Sequence, residues 1–363
     1  MNKRLLIISH AYLRDDVYKS LLYLKKNLDV FCLVPKKFNF FRFSKKKKLL
    51  KQVKSFYFNN NFFFKENLSF INNYNPEWIL IEYNPWSLIF LQIIIYCKIR
   101  NIKSKIIVHI KDNKYNNFGV VKKLIFYIFK NYITSIWFAS SFAKKNFNKF
   151  FRYNKKKIQS YIIPIHPIDT HLFKKKNKIK INKIKFGFIG RPDNDKGFQY
   201  LIDTFKLKVN KNNFFYALLP EKKFWKNKKF DHKLIKNNNI QISIKKFNTK
   251  SSLNFIKKID VLFCPSIENF NHAEQDGQVL LENLSCNNIC VSSNSGFFKN
   301  IKKTDSYFKI NNVNINSISN IMKFIKINFD QIKFNSNKNR ILVNKNFSIE
   351  IVIKKKISIL KKI

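Results

Sequence analysis

The sequence predicts an α/β fold with two doubly wound parallel sheets, one in each half of the chain. Strand-like and helix-like segments alternate through both halves, which is the pattern of a parallel sheet covered by helices. A length of 363 residues is enough for two such domains. Pro164 and the basic run from Lys174 to Lys183 interrupt the alternation near the middle. We therefore expect domains over residues 1–168 and 184–342, joined by a linker over 169–183 and facing each other across a cleft.

Each predicted element follows from the local pattern of apolar residues. Short apolar runs bounded by turn residues indicate strands, and longer amphipathic stretches indicate helices. In the first half the predicted strands are 4–9, 29–34, 77–83, 105–110, 135–139 and 158–163, and the predicted helices are 15–27, 86–100, 120–131 and 141–150. In the second half the strands are 184–189, 214–219, 240–244, 260–264 and 289–292, and the helices are 197–208, 251–258 and three that begin near Gly277, Asn316 and Phe347.

The charge of the chain is extreme, with a formal net value of +50 and an isoelectric point near 10.1. Such values are typical of proteins that bind nucleic acid or an anionic membrane surface. Nearly all of the positive charge is Lys, however, and Asn, Ile and Phe are also abundant, which is the residue usage of an AT-rich genome. We attribute most of the charge to coding bias. An anionic membrane surface is the next candidate partner, and nucleic acid is disfavoured because no recognised binding module is present.

The five cysteines are odd in number, have no CxxC spacing and mostly lie in apolar runs, as expected for reduced core thiols. Metal binding by Cys286 and Cys290 is disfavoured, because no further Cys or His is near in sequence. The N-terminus does not resemble a signal peptide, and no apolar run has the length of a membrane span. We expect a cytoplasmic protein, with peripheral attachment at the inner membrane face as an alternative.

A stretch rich in lysine and phenylalanine, from Lys36 to Phe64, leaves two interpretations open. It has the composition of a membrane-surface element that could meet a lipid-linked acceptor. It is equally consistent with a loop and a charged helix in a phenylalanine-rich protein.

The stretch from Asp260 to Gly296 has the pattern of a ligand site. An apolar strand ends at Cys264, a polar loop carries Glu274, and a helix carrying Glu282 begins near Gly277. The first N–H groups of a helix are unpaired, and with the helix dipole they attract anions. We therefore expect a phosphorylated ligand here.

The start of the second domain, FGFIGRPDNDKG, offers two cations to the same kind of ligand. The predicted strand runs into Gly190 and is followed by Arg191, a short loop, and Lys196 at a helix start. An arginine fork and a lysine ammonium five residues apart could both reach one diphosphate. The alternative is that both side chains lie on a solvated loop of a basic protein.

Together these stretches resemble the group 1 (family 4-like) glycosyltransferases, retaining enzymes of the GT-B fold with two Rossmann-like domains. The resemblance rests on Gly190, Arg191 and Lys196, and on the string EQDGQVLLE from Glu274 to Glu282. It extends to PIHPIDTHLF, EYNPWSLIFLQ and ITSIWFASSFAKKNF, which are similar to the family's interdomain and first-domain segments.

The resemblance implies a role for each matching residue. Arg191 and Lys196 would hold the diphosphate of a nucleoside diphosphate sugar, and Glu282 would bind the nucleotide ribose. Glu274 would contact the donor sugar at the reaction centre. The N–H groups of Gly277, Gln278 and Val279 would cap the diphosphate, and His109 would line the reaction centre from the first domain. No metal and no further cofactor is implied, and the helix over 343–363 would pack back on the first domain.

Several alternatives remain open beside this interpretation. Asp276, where relatives have an aromatic residue, could be the N-cap of the helix, and Asn287 replaces a glycine. These departures allow a catalytically degenerate relative that binds a nucleotide or a membrane. His109 could instead be a buried histidine hydrogen-bonded at a strand end. Asp112 and Asn113 could supply polar contacts to donor or acceptor.

Two other enzyme classes are disfavoured. Asp193 and Asp195 spell the DxD of metal-dependent glycosyltransferases, but they lie inside the cationic loop rather than after a central strand. Glu274 and Glu282 could suggest a glycosidase, but on one helix they would be about 12 Å apart, beyond the separation of such a pair.

Overall fold

The computed structural model describes residues 3–38, 41–42, 47–58, 61–66, 68–111, 119–174, 183–207, 213–226, 230–231, 239–269 and 272–363. They form two compact α/β units. The first unit contains the described residues up to Pro167 together with Ile349–Ile363, and the second contains those of Ile168–Ser348.

The first unit is built on a parallel sheet of seven strands. The strands of the unit are β1 (Arg4–Ile8), β2 (Asp29–Pro35), β3 (Lys37–Phe38), β4 (Phe41–Arg42), β5 (Leu50–Val53), β6 (Ser55–Phe58), β7 (Asn61–Phe64), β8 (Trp78–Ile81), β9 (Lys105–Ile110), β10 (Ile133–Phe138) and β11 (Gln159–Ile162). Its helices before the second unit are α1 (Asp15–Lys25), α2 (Ser69–Tyr74), α3 (Leu88–Ile99), α4 (Val120–Phe129) and α5 (Ser141–Phe150). The order across the sheet is β11-β10-β9-β8-β1-β2-β5, and β3–β4 and β6–β7 are separate antiparallel pairs.

The second unit is built on a parallel sheet of six strands. Its strands are β12 (Lys185–Ile189), β13 (Phe214–Leu219), β14 (Ile240–Ile244), β15 (Val261–Cys264), β16 (Ile289–Ser293) and β17 (Tyr307–Ile310). Its helices are α6 (Phe198–Lys206), α7 (Thr249–Ile256), α8 (Gln278–Ser285), α9 (Ile315–Ile327), α10 (Phe329–Phe334) and α11 (Asn337–Phe347). The order is β14-β13-β12-β15-β16-β17, so the direction in which strands are added reverses between β12 and β15. Ligands of open α/β sheets bind at such a switch point, beyond the carboxyl ends of the strands.

The last helix, α12 (Ile349–Lys362), belongs to the first unit although it follows the second in sequence. Its apolar residues Ile349, Val352 and Leu360 are buried in the same cluster as Leu5 and Ile7 of β1. Both faces of the central strands are therefore covered, which is why strands such as β8 contain apolar residues without alternation.

The predicted fold class is confirmed, and the predicted elements agree with the observed ones to within two residues at each end. The sequence pattern missed several elements: α2, the strands between Lys36 and Phe64, β17, α10 and α11. In the described part of 36–64 the chain forms strands rather than the charged helix of the second interpretation, and Phe62 and Phe64 are buried in the core. Most of the predicted linker lies outside the described residues. No helix in the described part of the chain is long and apolar enough to cross a membrane.

Candidate functional site

The candidate site lies where β12 and β15 end at the same edge of the second sheet. The two strands are parallel neighbours, with Gly187 opposite Leu262. The loop that begins at Gly190 and the loop that begins at Pro265 therefore emerge side by side. Gly197, at the start of α6, has φ +65°, and a Cβ there would lie 2.1 Å from the carbonyl oxygen of Pro265. Only glycine allows this close approach of the two loops.

An ion pair joins these loops at the centre of the site. The Lys196 ammonium donates a hydrogen bond to Oε2 of Glu274 at 2.7 Å, and the Ser266 hydroxyl donates to the same oxygen at 2.7 Å. Both charged side chains are largely buried. Burial lowers the pKa of Lys196 most strongly, but the carboxylates of Glu274 and Asp195 outweigh it, so that the pKa is raised. Lys196 is therefore a cation at neutral pH, held in place by Glu274.

The loop after β16 fixes Glu274 from a third direction. The Glu274 backbone N–H donates to the Ser295 hydroxyl at 3.3 Å, and its carbonyl accepts from Phe297 N–H at 2.8 Å. Gly296 has φ +46°, and a Cβ there would lie 2.2 Å from the Glu274 carbonyl oxygen. Sequence reasoning did not identify Ser266, Ser295 or this contact. The signal present in the sequence was the retention of Gly296 in a chain with six glycines.

The two aspartates of the DxD string are both engaged by cations. Asp193 is buried, its Oδ2 lies 3.2 Å from Nε of Arg191, and its Oδ1 accepts from the Lys226 N–H at 2.8 Å. Asp195 accepts from the Lys226 ammonium at 2.7 Å. Burial raises the pKa of Asp195, but Lys226, His272 and Arg191 outweigh it and lower the pKa below its usual value. Within the described ranges, no group of three or more His, Cys, Asp and Glu side chains is placed to hold a metal ion.

Helix α8 presents its first N–H groups at the same edge of the sheet. Gly277, with φ +56°, occupies the N-cap, so the expectation that Asp276 is the N-cap is wrong by one residue. A Cβ at position 277 would lie 2.7 Å from the ring of Phe297, so this N-cap position requires glycine. Asp276 still accepts from the Gln278 N–H, at 3.5 Å. Glu282, one turn further along, is buried and accepts from the Gln278 side chain at 3.0 Å.

The structure therefore gathers the predicted donor-binding residues of the second unit around one strand edge. Gly190 and Arg191 follow β12, Lys196 precedes α6, Glu274 lies in the loop before α8, and Gly277, Gln278, Val279 and Glu282 form the start of α8. The arrangement offers two cations and a helix N-terminus to an anion, and two carboxylates to hydroxyl groups.

His109 belongs to the first unit and is completely buried at the end of β9. Its Nε2 is 2.9 Å from the carbonyl oxygen of Ile163, and its Nδ1 is 3.9 Å from Oε1 of Glu82. Burial lowers the pKa of His109. This geometry is that of the buried strand-end histidine described above as the alternative. Asp112 and Asn113 lie outside the described residues.

Glu82 is the centre of a buried polar cluster around His109. It accepts from the Tyr12 hydroxyl at 3.2 Å, and the ammonium of Lys356, from α12, lies 3.8 Å from its Oε1. All four side chains are buried. Burial raises the pKa of Glu82, but His109 and Lys356 outweigh it and hold the pKa at about 2. The ammonium of Lys356 thus compensates the negative charge of the buried Glu82 carboxylate in the first unit.

Comparison with known proteins was made for the sequence and for the fold. Residues 169–345 match the family model described as Glycosyl transferases group 1, and this segment contains the whole strand-edge site of the second unit. This part of the chain is similar to the group 1 glycosyl transferases. The prediction of a glycosyltransferase is thereby confirmed. No curated protein sequence matches the chain.

Solved structures of glycosyltransferases share the fold along the whole chain. A glycosyltransferase from Rickettsia africae has a TM-score of 0.73 at 15% identity, with 99% of this chain and 98% of that chain covered. Sucrose-phosphate synthase from Thermosynechococcus elongatus has a TM-score of 0.74 at 11% identity, with the same coverage. HepE from Anabaena, in complex with UDP and glucose, has a TM-score of 0.71 at 12% identity over the full length of both chains. The fold of this glycosyltransferase is therefore GT-B.

The departure at Asn287 has a structural explanation in this glycosyltransferase. Asn287 has φ +57°, the left-handed conformation that a glycine would adopt most easily. Asparagine is among the residues that tolerate this conformation best. The turn between α8 and β16 is therefore preserved without the glycine.

Proposed function

We propose that this glycosyltransferase transfers a sugar from a nucleoside diphosphate sugar to a saccharide or lipid-linked acceptor in cell-surface polysaccharide or glycolipid assembly. Transfer proceeds with retention of the anomeric configuration and without a metal ion. The observation that carries the proposal is the Lys196–Glu274 pair, which sets a cation and a hydroxyl-binding carboxylate side by side at the strand edge.

The charge at this edge suits a departing nucleoside diphosphate. When the glycosidic bond breaks, negative charge develops on the β-phosphate oxygens. Lys196, Arg191 and the first N–H groups of α8 are positive groups fixed before the reaction begins, so they stabilise that charge with little reorganisation. Stabilisation of the leaving group is the contribution that the second unit makes to the rate.

The carboxylates bind the two ends of the donor. Glu282 is buried and oriented by Gln278, which suits it to accept hydrogen bonds from both ribose hydroxyls. Glu274, with one oxygen held by Lys196 and Ser266, would accept hydrogen bonds from hydroxyl groups of the donor sugar. The complex of HepE with UDP and glucose supports a nucleotide sugar as the class of donor.

Two features support transfer without a metal. Arg191 and Lys226 neutralise Asp193 and Asp195, the carboxylates that a DxD enzyme would offer to a divalent ion. The cations of the site supply the positive charge that such an ion would otherwise bring to the diphosphate.

The competing proposal is a degenerate relative that binds a nucleotide without catalysis. Asp276 motivates it, because its carboxylate stands at the entrance of α8, where relatives carry an aromatic residue. A carboxylate there opposes the approach of a diphosphate, so weak binding of the donor would favour this alternative.

A thermal-shift panel of UDP, GDP, ADP and their sugar conjugates, with and without EDTA, tests the proposal. We expect a saturable stabilisation by one nucleotide that is insensitive to EDTA and is lost in Glu282→Ala. Release of the sugar from the conjugate over hours would exclude the degenerate alternative. Well-folded protein that responds to no nucleotide would reject the donor site, and a shift that EDTA abolishes would reject the metal-free mechanism.

A further inference from the structure

Helix α4 of the first unit carries an apolar stripe that faces solvent. Val120, Leu124 and Ile128 follow one another at four-residue spacing and are 81%, 58% and 55% exposed. Val121, beside them, is 69% exposed. Residues four apart lie on the same face of a helix, so these side chains form one continuous strip over the ten residues of the helix.

The exposed stripe is distinct from the face through which α4 packs on the core, because that face lies on the opposite side of the helix. Phe126 is completely buried and packs edge-on against Phe147 and Phe151 at ring distances of 5.4 and 5.0 Å. A surface helix normally turns polar residues outward and apolar residues inward. Here both faces are apolar, and the outer one has no partner among the described residues.

The stripe lies in a stretch of sequence that is rich in cations and contains no acidic residues. Residues 113–168 include eleven Lys and Arg and no Asp or Glu. Lys122 and Lys123 lie on α4 itself, and the Lys130 ammonium sits 4.7 Å from the centre of the Tyr127 ring. The surface therefore combines exposed aliphatic side chains with local positive charge.

We propose that α4 docks this protein on an anionic lipid bilayer. An interfacial helix buries an apolar face among the acyl chains while its lysines bind anionic headgroups, and α4 has both parts. A second copy of the chain fits less well, because pairing two α4 surfaces would bring two positive regions together. Nucleic acid would satisfy the lysines but would leave the aliphatic stripe in water. The inference does not depend on the proposed reaction, since lipid binding requires neither donor nor acceptor.

The docking surface differs from the stretch that composition alone suggested. Lys36 to Phe64 holds more lysine and phenylalanine, but Phe62 and Phe64 are buried in the core of the first unit. In the hairpin of β6 and β7, the exposed rings of Phe56 and Phe63 are paired with each other at 5.4 Å. The apolar residues of α4 are more exposed and lie in one line, so we assign the lipid contact to α4.

Vesicle flotation tests the proposal with the full chain. The vesicles contain phosphatidylcholine alone or with about 30% phosphatidylglycerol, a charge density in the range of anionic biological membranes. We expect binding to the anionic vesicles only. The double variant Leu124→Ser/Ile128→Ser should reduce the partition coefficient about tenfold or more, because it removes two aliphatic side chains from the buried face.

A matched control uses apolar residues of the second unit that are at least as exposed. Ile327 and Phe334 are 72% and 86% exposed, so Ile327→Ser/Phe334→Ser removes similar apolar surface elsewhere and should bind like wild type. Thermal unfolding of both double variants checks that the fold is retained. Equal binding of the stripe variant and the control would overturn the proposal and leave only nonspecific charge attraction.

Two further measurements separate the other partners. A Leu124→Trp variant should gain fluorescence quenching by brominated anionic lipid relative to wild type, which places the helix in the bilayer directly. Sedimentation velocity without lipid should show a monomer. A dimer that Leu124→Ser/Ile128→Ser disrupts, together with no gain in quenching, would assign the stripe to a second copy and reject lipid docking.

Discussion

The Lys196 ammonium and the Glu274 carboxylate form a 2.7 Å hydrogen-bonded ion pair across 78 residues of sequence. The two residues come from the loops after β12 and β15, which are neighbours at the switch point of the sheet. In the absence of a ligand each satisfies the other. In the proposed donor complex, the diphosphate would share Lys196 with Glu274, and the sugar would share Glu274 with Lys196.

Removing the charge of Glu274 separates these two roles. In Glu274→Gln the ammonium of Lys196 loses its anionic partner, so a free nucleoside diphosphate should bind at least as tightly as to wild type. Sugar transfer should fall about a hundredfold, because a contact to the reacting sugar is lost. Calorimetry gives the affinity and donor turnover gives the rate. Glu268→Gln is the control, since Glu268 pairs with Lys299 instead. If Glu274→Gln weakened nucleotide binding as strongly as Lys196→Ala does, the proposal that the two residues have separate roles would be contradicted.

A methyl group at Gly197 should disturb the site through its backbone. Gly197→Ala would place Cβ 2.1 Å from the Pro265 carbonyl oxygen at a left-handed φ, so we expect a loss of roughly 2 to 4 kcal/mol of unfolding free energy. Gly119→Ala is the matched control, because a Cβ there would have no described residue other than its chain neighbours within 4 Å. Urea denaturation measures both variants. Equal stability of the two would mean that the loops do not approach each other as described.

The fold could be predicted well from the sequence because buried parallel strands are short runs of apolar residues. Neither face of such a strand contacts water, so polar residues do not interrupt the run. The strands between Lys36 and Phe64 were predicted poorly, because lysine and phenylalanine alternate there as they do in exposed segments. The candidate site residues of the second unit were chosen from the cations and the helix start that follow the strands and from the resemblance to a family, and their roles remain predictions. The pairing of these residues was not predicted, because only the neighbouring positions of β12 and β15 bring Lys196 to Glu274.

Lys356 is a second residue that sequence reasoning could not place. It lies among lysines of an amphipathic helix, yet it is buried with its ammonium 3.8 Å from Glu82. Lys356→Met leaves a buried carboxylate without its cation and should cost roughly 3 to 5 kcal/mol of unfolding free energy. Lys354→Met, on the exposed side of α12, is the control. The double variant Glu82→Leu/Lys356→Met should recover most of the loss, and no recovery would show that the two groups are not coupled.

Acidification should destabilise the first unit through its histidines. Burial, with a further contribution from Lys111, lowers the pKa of His10 to about 3, and burial also lowers that of His109. A histidine in the unfolded chain has a pKa of about 6.5. The contribution of these histidines to the unfolding free energy is therefore fully present above that pH and is lost as the pH falls toward 3. Glu82, with its pKa held at about 2, adds a further loss below a pH of about 4.5. Unfolding free energies measured from pH 7.5 to 4 should show a smaller slope in His109→Gln; an identical slope would mean that His109 is protonated in the fold.

The affinity of the nucleoside diphosphate identified by the thermal-shift panel tests the central claim most directly. Isothermal titration should show binding to wild type that weakens about tenfold or more in both Lys196→Ala and Glu282→Ala, since each removes a charged hydrogen-bonding group. Glu268→Gln should stay within about twofold of wild type, because this carboxylate is already bonded to Lys299 and the Gly296 N–H. Unchanged affinity in both site variants would contradict the assignment of the strand edge to the donor.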